Sequence, residues 1–334
     1  MKQRCDWKKI WIPKLDVLTI LGMSVLLMII FAASNPRFLT IGNFFNLIQQ
    51  NAALAVVAVG MTFVVISGNM DLSSGSLIVL SACTAGLVFQ KTGNMFLGIL
   101  GSLCLSAVIG AFNGSLIAYG KINAVIVTLS CMMWARGLAL GITGASSIAI
   151  SSGILDFLYR PFLLGFVNVS LLIVILIMLT GAFLLGRTKF GRYTRAIGEN
   201  EAAAALAGIN TKRIKWKIFM LAAVLAGIAS VLDLARLGSA VTTIGTNMEL
   251  NAIVAVVIGG NKLSGGEGSF AKTISGLLFM FILYNGLSTL GMTDDILYLL
   301  KGGIILFVLA VQVLTGRLKM KWMKQMNSSE RKEE

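Results

Sequence analysis

Residues 187–217 read RTKFGRYTRAIGENEAAAALAGINTKRIKWK and form the only long hydrophilic segment between two strongly apolar halves of the chain. Eight basic residues and two acids lie in this segment. Residues 199–207 have a high helix propensity, and Gly208 stands where a helix is expected to end. A helix of about two turns does not hold itself together in water. Its alanine-rich surface therefore predicts a docking point for a soluble partner on the cytoplasmic side.

The composition indicates an integral membrane protein. Of the 334 residues, 57% are hydrophobic and 13% are charged, and the charged share is about half of that in soluble domains. Apolar runs close to the length that crosses a bilayer recur from end to end. We predict an all-α polytopic membrane protein with ten transmembrane helices: Leu15–Ala33, Phe45–Ile66, Leu72–Gln90, Phe96–Tyr119, Ala124–Thr143, Phe166–Gly186, Ile218–Leu237, Met248–Gly260, Ala271–Leu290 and Ile296–Leu314.

The distribution of charge predicts the orientation. The net charge is +14, and +13 of it falls in residues 1–14, 187–217 and 316–334. Ten spans with a cytoplasmic start place all three segments in the cytoplasm, as the positive-inside rule requires. The charge therefore needs no nucleic acid partner. We expect a basic cytoplasmic N-terminus (1–14), a transmembrane domain (15–315) and a basic cytoplasmic tail (316–334), with the segment 144–162 outside the membrane or re-entering it.

A short internal repeat suggests how the two halves are related. Asn69-Met70-Asp71-Leu72 recurs as Asn247-Met248-Glu249-Leu250, and an Asn-Gly pair follows each copy, at Asn113 and at Asn285. The copies lie five predicted spans apart, so they would run in opposite directions. Inverted repeats place a substrate path near the midplane, beside broken helices. The predicted breaks are 68–75 and 245–249.

Two roles are open for Asp71. It can line the pathway, since ionisable groups inside a membrane are often functional. It can also cap the helix that follows, with help from Ser73 and Ser74, because Asp-Leu-Ser-Ser before an apolar run is a helix-start signal. The second role is favoured. For Glu249 the sequence leaves the same pair of roles open.

Several other features have plainer interpretations. Asp233 and Arg236 stand at helical spacing and are expected to pair, and Arg136 is a charge inside a span that should face the bundle interior or an interface. The glycine-rich loop 259–268 lacks the ending of a phosphate-binding loop and is predicted to be a tight turn. The chain has no histidine and four scattered cysteines, so neither a metal site nor a disulfide framework is predicted.

Four motifs occur in order: Gly68-Asn69-Met70-Asp71-Leu72-Ser73-Ser74-Gly75-Ser76; Asn113-Gly114 with Thr128-Leu129 and Arg136-Gly137; Gly191-Arg192 with Ala196-Ile197-Gly198-Glu199-Asn200-Glu201-Ala202-Ala203 and Gly208-Ile209; and Glu249-Leu250 with Gly259-Gly260 and Leu263-Ser264-Gly265-Gly266-Glu267-Gly268-Ser269, before Asn285-Gly286-Leu287. With them the chain resembles, over roughly residues 15–315, the permease subunits of ribose-type ATP-binding-cassette (ABC) sugar importers. Asn123, Lys272 and Ser74 depart from the family pattern, which weakens the assignment of a particular sugar.

The resemblance implies a division of labour among subunits. Two permease subunits, as a homodimer or heterodimer, would form a pathway across the bacterial cytoplasmic membrane, and an extracytoplasmic sugar-binding protein would deliver the sugar. A cytoplasmic ATPase would bind ATP-Mg and dock on the coupling segment, so this chain would carry no cofactor, no nucleotide site and no catalytic residue. The implied coupling residues are Gly191, Arg192, Ala196, Gly198, Glu199, Asn200, Ala203 and Gly208. The implied structural motif comprises Glu249, Gly259, Gly260, Gly265 and Gly266.

Polar side chains are the candidates for contact with a neutral sugar. They are Gln49, Gln50, Asn51, Asp71, Asn113 and Asn285. The amides can equally well join helices by hydrogen bonds. Alternatives to the sugar permease are a branched-chain amino-acid permease of the same fold and an ion-coupled secondary transporter using Asp71 and Glu249. An intramembrane enzyme has little support, because the chain offers no convincing nucleophile and base.

Overall fold

The fold is taken from a computed structural model that describes residues 15–162, 167–291, 296, 299–300, 302–308 and 310–311. The predicted cytoplasmic segments 1–14 and 316–334, and part of the predicted tenth span, lie outside these residues. The described elements are α1 (Leu15–Ser34), a 3-10 helix (Pro36–Leu39), α2 (Ile41–Gln50), α3 (Ala52–Ile66), α4 (Ser74–Thr92), α5 (Met95–Ala118), α6 (Ala124–Thr143), β1 (Ile148–Ala149), α7 (Gly153–Tyr159), α8 (Val169–Arg187), α9 (Lys189–Glu199), α10 (Glu201–Leu206), α11 (Thr211–Leu237), β2 (Ser239–Ala240), α12 (Met248–Ile258) and α13 (Phe270–Thr289).

The helical polytopic membrane fold is confirmed, whereas the count of ten spans stays a prediction. Within the described residues, seven helices are long and apolar enough to cross a membrane: α1, α4, α5, α6, α8, α11 and α13. The predicted second span is not one straight helix, because α2 and α3 meet at Asn51 with a bend of 50°. As one broken span they raise the count to eight.

Two predicted spans have different limits in the structure. The predicted eighth span is α12, which has 11 residues. At 1.5 Å per residue it is about 16 Å long, roughly half of the hydrocarbon thickness. The predicted seventh span begins earlier than expected, at Thr211 rather than Ile218, because the Asn210 side chain accepts a hydrogen bond from the Arg213 amide and starts the helix among the basic residues.

Helix α11 forms the centre of the bundle and packs against α3, α4 and α5. Small residues allow the close approach. A Cβ at Gly60 would lie 2.9 Å from the Cα of Ala222, and one at Gly227 would lie 2.6 Å from Ser106 Oγ. Helix association in a membrane depends on such packing, because lipid is as apolar as the side chains it would replace.

The bundle has two distinguishable ends. At one end, the end of α3 meets the end of α9 and the glycine-rich loop, through Ile66, Gly198 and Gly266. This is the basic end, since α9, α10 and the start of α11 carry the basic segment. At the other end, part of the segment 144–162 forms β1, which pairs antiparallel with β2, and Gly86 of α4 lies under this ribbon.

The two predicted helix breaks are present and touch each other. Residues 67–73 separate α3 from α4, and residues 241–247 precede α12. A Cβ at Gly75 would overlap the Gly245 carbonyl oxygen, and a Cβ at Gly245 would overlap that of Gly75. From this contact α4 runs towards the ribbon, whereas α12 runs towards the basic end. The two helices that follow the breaks therefore run in opposite directions, as the repeat predicts.

Candidate coupling and translocation sites

The coupling segment is two helices rather than one. The prediction of a helix over 199–207 is wrong in its start, because Glu199 is the last residue of α9. Asn200 is extended, and its side chain accepts a hydrogen bond from the Ala203 amide, so it ends α9 and starts α10. Gly208 ends α10 as predicted, with φ +82°.

The backbone of this segment packs directly against the end of α3 and the glycine-rich loop. The contacts involve four glycines, which we call the glycine junction: Gly68, Gly198, Gly265 and Gly266. A Cβ at Gly198 would overlap the Ile66 carbonyl oxygen and the Gly266 amide nitrogen. The Gly266 amide donates to the Ile66 carbonyl oxygen at 2.9 Å. Gly265 packs against Gly68, and both have positive φ. At Gly198 and Gly265 no side chain larger than hydrogen fits between these backbones without displacing them.

Polar ties hold the segment to both halves of the chain. The Arg195 guanidinium donates to the carbonyl oxygens of Leu185, at 3.0 Å, and of Gly268, at 3.3 Å. The Lys215 ammonium forms an ion pair with Glu201 across α11 and α10. Of the predicted coupling residues, Gly191 is buried, Ala196 and Gly198 are half-buried, and Arg192, Glu199, Asn200, Ala203 and Gly208 are exposed.

One apolar side chain at the basic end is unusually exposed. Leu206, at the end of α10, is 91% exposed. Around it, Ala202, Ala203, Ala205 and Ala207 are exposed as well. α10 therefore presents an alanine and leucine surface outside the bundle, next to the charged groups of α9 and α11. Such a surface fits a protein partner better than it fits water.

At the first break, Asp71 is buried and fully paired. Its Oδ1 accepts from the Ser73 amide at 2.8 Å and from the Ser73 hydroxyl at 2.6 Å, and its Oδ2 accepts from the Ser74 hydroxyl at 3.2 Å. Asp71 is 2% exposed. The N-cap residue of α4 is Ser73, and Asp71, two residues before it, holds it and Ser74 in place. These contacts fit the structural role better than the pathway role, because both carboxylate oxygens are occupied.

At the second break, Glu249 is buried and only partly paired. The side chain is 5% exposed, and in the described part of the chain its Oε2 has no hydrogen-bond partner. Oε2 lies against Gly75, where a Cβ would overlap it. Arg136 of α6 is close enough to Glu249 to interact electrostatically, but its Nη1 donates instead to Thr246 Oγ1 at 3.0 Å.

Two cavities lie on either side of the turn before α12. The first, about 700 Å³, is lined by α6, the first break and the turn, with Arg136, Thr246, Asn247 and Glu249 as its polar groups. The second, about 630 Å³, lies between the bend at Asn51, α12 and α13. Thr246, Asn247 and Leu250 line both cavities. The turn is therefore a wall shared by two spaces of the size that binds small molecules.

The structure brings together three of the six predicted pathway residues. Gln50, Asn51 and Asn285 line the second cavity. Within it Asn285 exchanges two hydrogen bonds with Asn43, at 2.8 and 3.0 Å, so it also joins α13 to α2. Gln49 faces a separate small pocket beside Tyr159.

Asn113 and Asp71 also lie away from the second cavity. Asn113 is buried, and with Ser73 it lies within hydrogen-bonding reach of the Cys131 thiol. Asp71 is enclosed by the two serines. The expected pair of Asp233 and Arg236 is confirmed, at 3.2 Å.

The sequence analysis missed three polar residues of the cavities, Thr246, Asn251 and Tyr284, and Asn43, the bonding partner of Asn285. The Tyr284 hydroxyl donates to Asn251 Oδ1 at 2.6 Å. Thr246 adjoins the repeated tetrapeptide, and Tyr284 adjoins the Asn-Gly pair. Extending the repeat by a residue or two would have found both of them. Asn43 carries no such signal, because its partner lies 242 residues away.

Of the described residues, no group of three or more His, Cys, Asp or Glu side chains could hold a metal ion. The glycine-rich loop is closed by its own polar groups. The Asn261 side chain donates to the Val256 carbonyl oxygen and to Thr273, and accepts from the Ser269 amide. Within the loop, the Lys262 amide donates to the Glu267 carbonyl oxygen and the Gly265 amide to that of Lys262. Residues 259–268 therefore form a tight turn tied to the helices on both sides of it, as predicted.

Comparison with known proteins agrees with this architecture. The family described as branched-chain amino acid transport system / permease component matches residues 43–309. No solved structure matches the chain.

Curated relatives extend the match to nearly the whole chain. The ribose import permease protein of Escherichia coli K12 is 36% identical over 91% of this chain and 94% of its own length. That of Bacillus subtilis 168 is 39% identical over 90% and 92%, and the xylose transport system permease protein of E. coli K12 is 30% identical over 91% and 93%. The chain therefore belongs to the permease family that carries this description, and the ribose-type ABC importer permease that the resemblance implied is confirmed.

Proposed function

We propose that this chain is the membrane permease subunit of an ABC importer for a monosaccharide, ribose or a similar sugar, driven by ATP hydrolysis in a partner subunit. The observation that carries the proposal is the similarity, over nine tenths of the chain, to ribose import permeases. The exposed coupling segment supports it, because a permease that is driven by a separate ATPase subunit must present a surface to which that subunit binds.

The ATPase would dock on α10 and the adjoining charges of α9. The exposed face of α10 is apolar, with Leu206 projecting from it, so it would fill a groove in the partner. Arg192, Glu199 and Asn200 would surround this contact with polar groups. The ATPase would supply the ATP-Mg site, and this chain would supply no catalytic residue.

The glycine junction would carry the motion from the ATPase into the membrane. Gly198 touches the end of α3, just before the first break, and the loop that follows α12, the helix of the second break. A displacement of α9 and α10 would therefore move both breaks at once. Close-packed backbone transmits such a displacement, since it has no side chain that can rotate out of the way.

In the membrane, the basic end would face the cytoplasm, in line with the positive-inside rule, and the ribbon would face the outside, where the sugar-binding protein delivers its load. Arg136, Thr246 and Asn247 line a cavity walled by α6, whose other lining residues are largely apolar. Exposing these polar side chains, with the charged guanidinium of Arg136, to lipid would cost free energy. A second permease subunit, identical or not, would cover them and complete the pathway.

Reconstitution tests the proposal. The chain is placed in liposomes with the ATPase and the binding protein from neighbouring reading frames, and uptake of labelled ribose and xylose is measured with and without ATP. We expect uptake of at least one sugar that requires ATP, the ATPase and the binding protein together. Uptake by the chain alone on an ion gradient would support a secondary transporter instead. ATP-driven uptake of leucine but of no sugar would support the amino-acid permease.

A glycine variant tests the path of the motion. Gly198→Ala places a Cβ into the Ile66 carbonyl, so we expect ATP hydrolysis by the complex to continue while sugar uptake falls at least about tenfold, as misplacements of about 1 Å do in catalytic sites. Gly186→Ala is the matched control, because a Cβ there meets nothing within 4 Å. Equal uptake by the two variants would contradict the role of the junction.

A further inference from the structure

We propose that Arg136, Thr246 and Asn247 form the site that binds the sugar during its passage, and that Arg136 recognises the hydroxyl groups of the sugar. The proposal rests on the proposed function, because it concerns the solute of that importer. It replaces the amides predicted from sequence, which largely bond to other helices, with a group from α6 and the turn before α12.

Arg136 lies near the middle of α6. It is the thirteenth of the 20 residues of α6, so it lies about 18 Å along the helix from its first residue. That is within the middle third of a bilayer-spanning helix, close to where the two breaks meet. Inverted-repeat transporters bind their substrates at this depth, beside broken helices.

The bonding of Arg136 is the second argument. A guanidinium has five N–H donors, and among the described residues Arg136 has one hydrogen bond, to Thr246. No carboxylate of the described chain is within ion-pair distance of it. A half-buried cation inside a membrane span without a salt bridge is costly, and such groups mark solute pathways.

The unpaired Glu249 is the third and independent observation. It is 95% buried, its Oε2 has no partner in the described chain, and it is one of the residues that line the same cavity as Arg136. A buried acceptor without a donor is a state that a structure normally avoids. Glu249 acts here as a positioning residue, because its carboxyl group is close enough to interact electrostatically with the Arg136 guanidinium on the cavity wall.

The chemistry of the group selects the class of solute. Arg136 donates only, and the Asn247 amide donates and accepts. The Thr246 hydroxyl donates its proton to the Thr243 carbonyl oxygen at 2.6 Å, so it can only accept from a sugar. A neutral polyol offers vicinal hydroxyls that donate and accept, so it can match all three. An apolar amino-acid side chain would leave these groups unpaired, and a buried unpaired polar group is strongly disfavoured. The cavity of about 700 Å³ is also in the range of small-molecule sites.

The experiment uses the complete reconstituted importer and compares ribose with its monodeoxy analogues. The measured quantity is the ratio of ribose uptake to analogue uptake. Each variant is tested with the same binding protein. The selectivity of that protein therefore cancels when the ratio of a variant is divided by the ratio of the unchanged chain. We expect the unchanged chain to transport at least one analogue about tenfold more slowly, as the loss of a charge-assisted hydrogen bond implies.

Arg136→Gln should bring the ribose-to-analogue uptake ratio close to one and lower ribose uptake about tenfold. Arg136→Lys should keep part of the selectivity and part of the uptake. Thr246→Val should shift the ratio in the same direction by less. Ser130→Ala is the control, because Ser130 is exposed on the same helix and its hydroxyl donates to the Ile126 carbonyl of its own helix.

Two results would overturn the proposal. One is full ribose uptake with an unchanged ratio in Arg136→Gln. The other is reduced uptake with an unchanged ratio in a variant that purifies as a folded, assembled complex, since that pattern belongs to a structural arginine. In both cases the unchanged importer still takes up sugar, so the proposed function stands. Absence of ATP-driven sugar uptake by the unchanged importer would instead remove the proposed function.

Discussion

The two helix breaks share a sequence pattern but differ in how their acids are satisfied. Asp71 in the first break uses both carboxylate oxygens on Ser73 and Ser74. Glu249 in the second break leaves Oε2 without a partner in the described chain. A paired acid locks a structure, whereas an unpaired one is tolerated where another requirement maintains it. The comparison suggests that the first break is internally rigid and moves as a unit, whereas the second break faces the solute.

The largest loss of folded protein is expected for a substitution at the point where the two breaks touch. In Gly75→Ala the new Cβ would overlap Glu249 Oε2 and the Gly245 carbonyl oxygen, and a backbone atom cannot rotate away. We expect little folded protein, measured as monodisperse material after detergent extraction. Adding Glu249→Ala should rescue only part of it, because the Gly245 clash remains. Complete rescue would mean that the acid alone sets the fit.

The next largest effect is expected at Asp71. Asp71→Ala leaves the Ser73 amide and two hydroxyls without their buried acceptor, which should cost about 2–4 kcal/mol. The measurement is the yield and the thermal midpoint of the purified chain. Asp71→Asn retains an acceptor and should lose less. Normal yield combined with altered sugar selectivity would instead assign Asp71 to the pathway.

The matching change at the second break should cost much less stability. Glu249→Gln removes a buried charge whose Oε2 makes no hydrogen bond in the described chain, so the free energy of unfolding should change by about 1 kcal/mol or less. Sugar uptake should nevertheless fall, because Arg136 loses the charge that holds it at the cavity wall. A stability loss as large as that of Asp71→Ala would erase the distinction between the breaks.

The smallest loss of stability is expected for the amide pair of Asn43 and Asn285, which serves as a reference for a purely helix-joining contact. A double-mutant cycle of Asn43→Ala and Asn285→Ala should give a coupling energy of about 0.6 kcal/mol, the average for hydrogen bonds between membrane helices. The sugar-to-analogue ratio should not change in either single variant. A changed ratio would return Asn285 to the group of solute contacts.

Much of the fold follows from local patterns in the sequence. The limits of α6 were predicted to the residue, and those of α1, α4, α5 and α13 within two residues, because long apolar runs end at the caps Asn94, Asn123 and Ser269 or at glycines. The end of α10 at Gly208 is equally local. The start of α10 was missed, since Asn200 lies between two stretches of good helix formers and only its extended backbone divides them.

The candidate sites show where local information ends. The sequence by itself determined that this is a helical membrane protein, where its long basic segment lies, and that two short motifs interrupt its spans, because hydropathy, charge and capping act within a few neighbouring residues. Only the tertiary structure decided that Gly198 meets Ile66 and Gly266 and that Asn43 pairs with Asn285. It also decided that Glu249 Oε2, unlike the oxygens of Asp71, has no hydrogen-bond partner among the described residues. These contacts join residues tens to hundreds of positions apart, and their geometry depends on how the helices pack.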